Sequence, residues 1–107
     1  MDGRFECEIA EPGREPRVVT IRGEVDLATA PDLESCVQRA FADEPSSIVL
    51  DLEAMTFIDS SGLRVLVALT NDARSRGATL ALRNTPRHAR RVLELTGLSD
   101  WFDSAPG

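Results

Sequence analysis

The chain has 107 residues, is 42% hydrophobic and carries a formal net charge of -6. That is enough apolar material for one domain over residues 1–107, with no need of a disulfide or metal staple. The acidity argues against a nucleic-acid partner, which would call for a basic surface, and against an anionic membrane.

No apolar run reaches the length of a membrane span, and Met1-Asp2-Gly3-Arg4-Phe5-Glu6 lacks the apolar stretch of a signal peptide. The expected location is cytoplasmic. Cys7 and Cys36 are then expected to be reduced thiols packed in the core, with a redox pair as the minority alternative.

Phe5, Cys7 and Ile9 alternate with Glu6 and Glu8, the period of a half-buried strand. A turn-rich loop follows over residues 11–16, and Val18 to Arg22 predicts a second strand forming a hairpin with the first. Gly23 to Ala28 is expected to leave the sheet as a loop. Thr29 reads as an N-cap, with Pro31 in the first turn and Asp32 as the acidic half of a capping box. Leu33, Cys36, Val37, Ala40 and Phe41 then mark one helical face, closed by Pro45.

Ile48 to Leu52 is apolar on both sides, as in a central strand covered on two faces. Residues 53–58 are expected to continue as a short loop with a buried end. A second, mostly apolar helix is predicted from Ser60 or Ser61 to about Arg76, with Gly77 as its left-handed C-cap. Thr79 to Arg83 predicts another strand. Thr85-Pro86 opens a third helix with Ala89, Val92, Leu93 and Thr96 inward and Gly97 at its end. Leu98, Trp101 and Phe102 would form an apolar knot. Strands alternating with helices imply an α/β fold: an N-terminal β-hairpin joined to a mostly parallel four- to five-stranded sheet with helices packed against it.

The junction Phe57-Ile58-Asp59-Ser60-Ser61-Gly62 holds the chemistry. The first-turn N–H groups of a helix lack internal partners, so a Ser there can cap, and an anion is tolerated. A phosphoryl group on Ser60 would add charge beside Asp59 without unfolding the domain. From the four residues alone, ordinary capping is by a wide margin the favoured reading. Asp26 and Asp59 could likewise cap a helix or tie a loop. The pair could hold Mg²⁺ with ligand phosphates only if further ligands were present.

Wider context adds a resemblance that covers nearly the whole chain. Gly23-Glu24-Val25-Asp26 followed by Thr29-Ala30 and Leu33, Ile48-Val49-Leu50-Asp51-Leu52, Phe57-Ile58-Asp59-Ser60-Ser61-Gly62-Leu63, Gly77 before a strand, and Leu95-Thr96-Gly97-Leu98 resemble a STAS domain of the anti-sigma factor antagonist type. The resemblance implies a STAS fold and a regulator that binds an anti-sigma factor doubling as a serine kinase, releasing the sigma factor. It implies that Ser60 is phosphorylated by that kinase, which ends binding, and that a PP2C-type phosphatase restores the protein. Asp26, Asp59, Ser60, Ser61, Gly62 and Arg64 are the expected partner-binding residues. Arg64 departs from several relatives, which carry a small residue, often Gly; it could pair with a partner carboxylate or with the phosphate. The free protein is expected to be a monomer or a weak dimer.

An enzyme is not expected. His88 is the sole histidine, in the first turn of the third helix beside Arg87, Arg90 and Arg91, where a solvated basic face is the simpler reading. No nucleophile elbow, metal-ligand cluster or Gly-rich phosphate loop is present, so no cofactor or metal is expected. The alternative within the same fold is a scaffold or accessory module, stressosome- or transporter-associated, that binds proteins without sigma control.

Overall fold

The computed structural model describes residues 5–11, 13–95 and 103–104. Its elements run β1 (Phe5–Ile9), β2 (Arg17–Val25), α1 (Ala30–Ala40), β3 (Ser47–Ile58), α2 (Ser60–Ser75), β4 (Thr79–Arg83), α3 (Arg87–Leu95) and β5 (Asp103–Ser104). They form one sheet in the order β1-β2-β3-β4-β5. β1 and β2 are antiparallel, and every later pair is parallel. The α/β hairpin-plus-parallel-sheet architecture expected from the sequence is the one observed, with β5 added where only a tail was expected.

Burial explains the layering. Ile48, Val49 and Leu50 are consecutive and all buried, so both faces of β3 are covered there. α1 packs on β1 and β2, α2 on β3 and β4, the two helices meet each other, and α3 packs against β3. The inward stripes are Leu33, Cys36, Val37 and Ala40 of α1 and Leu63, Leu66, Leu69 and Ala73 of α2. Burying each Leu, Ile or Val side chain contributes about 1.5–3 kcal/mol. Gly77 has φ +76° after α2, the left-handed residue expected there.

Several local expectations change. β2 does not stop at Arg22 but runs to Val25, with register shifts at Thr20/Arg22 and Gly23/Glu24. β3 likewise continues through residues 53–58 to Ile58, because the lengthened β2 supplies its backbone partners up to the Val25–Ile58 pair. α1 ends at Ala40, and the chain turns through Glu44, φ +53°, before Pro45 is reached. Thr29 occupies the N-cap position of α1 but its side chain caps nothing. Its hydroxyl instead donates to the Glu24 carbonyl at 2.8 Å.

The cysteines also differ from expectation. Cys7 and Cys36 are joined as a disulfide with Cα atoms 6.5 Å apart, within the usual span of such a bond. Both lie on inward faces, as the periodicity indicates, but those faces are opposed, which only the packing of α1 on β1 reveals. Thr96, Gly97, Leu98, Trp101 and Phe102 lie outside the described residues.

Candidate functional site

The site is built where β2 and β3 end side by side. Val25 and Ile58 are register partners, and the Asp59 amide donates to the Val25 carbonyl at 3.1 Å. Two segments therefore leave the sheet together from the C-terminal ends of parallel strands. One begins with Asp26 and the other with Asp59-Ser60. In open α/β sheets such strand ends are where ligands are met.

Asp59 opens α2. Its Oδ1 accepts from the amides of Ser61 at 2.9 Å and Gly62 at 3.2 Å, while its backbone carbonyl accepts from Leu63. The cap is thus the aspartate and neither serine. Ser60 is left at the first helical position, exposed, and among the described residues its hydroxyl has no hydrogen-bond partner. Ser61 is half-buried. Arg64 is exposed four residues after Ser60, on the same stripe of the helix.

Gly62 is buried, and its role is steric. A Cβ there would lie 2.7 Å from both Ile58 Cγ1 and Val25 Cγ1 and 3.1 Å from the Val25 carbonyl oxygen. Real Cβ atoms do not approach so closely, so only glycine lets the first turn of α2 rest on the ends of β2 and β3.

The Asp26 loop is held as firmly. Asp26 Oδ1 accepts from the amides of Ala28 and Thr29, each at 3.0 Å, and its carbonyl accepts from Ala30 at 2.7 Å. The Asp26 amide in turn donates to Thr29 Oγ1 at 2.9 Å. Asp26 is therefore a loop tie that directly follows Val25, whose carbonyl accepts from the Asp59 amide. Sequence reasoning missed two neighbours: Leu27 is 76% exposed and Phe57 46% exposed. A leucine within a polar loop directly after a strand was the available signal.

The carboxylate next to Ser60, that of Asp59, is engaged by the Ser61 and Gly62 amides. His88 is exposed on α3 and takes part in none of the site's hydrogen bonds among the described residues. No group of three His, Cys, Asp or Glu side chains among those residues could hold a metal, Asp26 and Asp59 included. No helix among them is long and apolar enough to cross a membrane. What the corner offers is a hydroxyl, two ordered carboxylates, a guanidinium and exposed apolar side chains on fixed backbone, which suits recognition by a protein.

Comparison with known proteins agrees with this architecture. The family model for the STAS domain matches residues 8–106. The chain is 35% identical over 85 residues to the anti-sigma-F factor antagonist RsfB of Mycobacterium tuberculosis, covering 79% of this chain and 69% of that one. It is 31% identical over 93 residues to the anti-sigma-B factor antagonist of Listeria monocytogenes, covering 87% and 82% respectively. Among solved structures, an anti-sigma factor antagonist from Mycobacterium paratuberculosis superposes with a TM-score of 0.83 at 29% identity, over 100% of this chain and 90% of that one. Unphosphorylated SpoIIAA shares the fold with a TM-score of 0.76 at 22% identity, over 94% and 89%. With the family model matching residues 8–106 and a curated relative 35% identical over 79% of this chain, the chain belongs to the STAS domain family.

Proposed function

We propose that the chain is an anti-sigma factor antagonist switched by phosphorylation of Ser60. In its unphosphorylated form it binds an anti-sigma factor that is also a serine kinase, and the sigma factor is released. The observation that carries this reading is the exposed Ser60 hydroxyl at the start of α2, freed by Asp59's capping of the helix. The names of the relatives support the anti-sigma role.

The chemistry belongs to the partner. Its base takes the Ser60 Oγ proton, Oγ bonds to the γ-phosphorus of ATP, and the β–γ bridging bond breaks to leave ADP. The product brings a charge of about -1.5 to -2 to the corner. Because Asp59 already holds the Ser61 and Gly62 amides, that phosphate would not be drawn into the helix end. It would project outward beside Asp59, on the stripe of Arg64, where a partner surface fitted to a bare hydroxyl meets bulk and repulsion. A PP2C-type phosphatase would hydrolyse the phosphoester with water, restoring the Ser60 hydroxyl and releasing inorganic phosphate. Incubation with the cognate kinase and ATP, followed by intact mass and peptide mapping, is expected to place one phosphoryl group on Ser60, with none added to Ser60→Ala. A phosphoryl group on another residue would refute the site.

A further inference from the structure

Cys7 and Cys36 are the chain's two cysteines, and they meet where β1 lies against α1. β1 is an edge strand with β2 as its one neighbour in the sheet. Its inward side chains Phe5, Cys7 and Ile9 are only half-buried at the margin of the core. Apolar burial therefore holds β1 less firmly than β2, whose Val19, Ile21 and Val25 are fully covered. Cys36, 1% exposed, sits in the middle of the inward stripe of α1. The pair links an edge strand that is less firmly anchored than β2 to a firmly anchored helix. The ring it closes contains β2 and the Asp26–Thr29 loop.

We propose that Cys7 and Cys36 form a reversible thiol–disulfide site that locks the edge strand when a low-molecular-weight disulfide oxidises it. The Cys7 thiolate, on the half-buried edge, attacks one sulfur of that disulfide and expels the first small thiolate. The Cys36 thiolate then attacks Cys7 Sγ in the mixed disulfide and expels the second. The protein loses two electrons and two protons, and the small disulfide leaves as two thiols. Reduction runs the same steps backward. The oxidised form has its unfolded chain constrained over a separation of 29 residues, which raises stability. None of this depends on Ser60 or on the identity of a partner.

The test uses the full chain equilibrated in mixtures of oxidised and reduced glutathione, then denatured, alkylated and weighed. The oxidised end should be two hydrogens lighter and unlabelled at both cysteines, and the reduced end labelled at both. The oxidised protein should melt higher by about 10 °C or more. Cys7→Ala should melt near reduced wild type and ignore reductant. Two labelled thiols throughout the oxidising range, or equal melting temperatures for the two wild-type forms, would overturn the proposal. The wild-type comparison stands even if the variant does not fold.

Discussion

Asp59 and Ser60 are adjacent, yet the helix divides their work. The aspartate satisfies two first-turn amides, and the serine is left to solvent. A helix start at this junction was legible from Asp59-Ser60-Ser61-Gly62, but the sequence did not show which residue caps it, because serine and aspartate are equally good caps. Asp59→Ala should lower stability by about 1 kcal/mol in denaturant unfolding, with Asp59→Asn losing less. An unchanged midpoint for the alanine variant would contradict the capping role. Gly62 is a sharper case. Alanine would gain up to about 1 kcal/mol in helix propensity, but its Cβ would press on Ile58 and Val25 at 2.7 Å. Overpacking of about 1–3 kcal/mol should outweigh that gain, so Gly62→Ala is expected to unfold at lower denaturant than wild type. A stabilised variant would show that the helix does not rest on the strands as closely as described.

At the scale of elements, long helices with clear punctuation were easiest to read. The second helix was expected from Ser60 or Ser61 to about Arg76 and is found over Ser60–Ser75, since the acidic cap and Gly77 bracket an apolar body. β3 was read too short. After Leu52 the buried positions are Met55 and Ile58, a spacing that follows neither strand alternation nor a continuous apolar run. The cause lies in the register shifts of β2, which no local pattern reveals. Leu50, fully buried within β3, is a direct probe of that packing: Leu50→Ala should cost about 2–5 kcal/mol. A loss well below that range in an unfolding titration would contradict a close-packed central strand.

Ion pairs join elements in ways periodicity could not show. Arg17, at the start of β2, is 3% exposed and holds the Asp43 carboxylate with both terminal nitrogens, one at 2.8 Å, as well as the Ala40 carbonyl. The hydrogen bond from Arg17 keeps Asp43 below its ordinary carboxylate range. Burial pushes Asp51 upward, but the Glu53 amide, Arg83 and Asn84 together outweigh it, and the net shift is down. Both carboxylates bind protons more weakly folded than unfolded. Their stabilisation is therefore present above about pH 4 and is lost as pH falls through their lowered folded values. Unfolding midpoints measured from neutral pH into this acid range should fall, and Asp51→Asn should make the fall shallower. A midpoint flat across the range would contradict both assignments.

Over the whole molecule, an acidic chain with little aromatic content folds a five-stranded sheet and places its ordered acidic corner where β2 and β3 end together. Much of the fold was legible, because strand and helix periods alternate along the chain. The disulfide was not, because Cys7 and Cys36 are brought together only by the packing of α1 on β1. Ser60's helix-start position was legible from local chemistry, and its exposure emerged from the structure. Its proposed place in a switch rests on the resemblance of the surrounding segments to a family. The most direct test is the affinity of the cognate anti-sigma kinase for this protein, measured by titration calorimetry with the unphosphorylated chain and with the chain phosphorylated at Ser60. Phosphorylation should weaken binding at least about tenfold, the equivalent of about 1.4 kcal/mol. Equal affinities for the two forms would contradict the switch at Ser60.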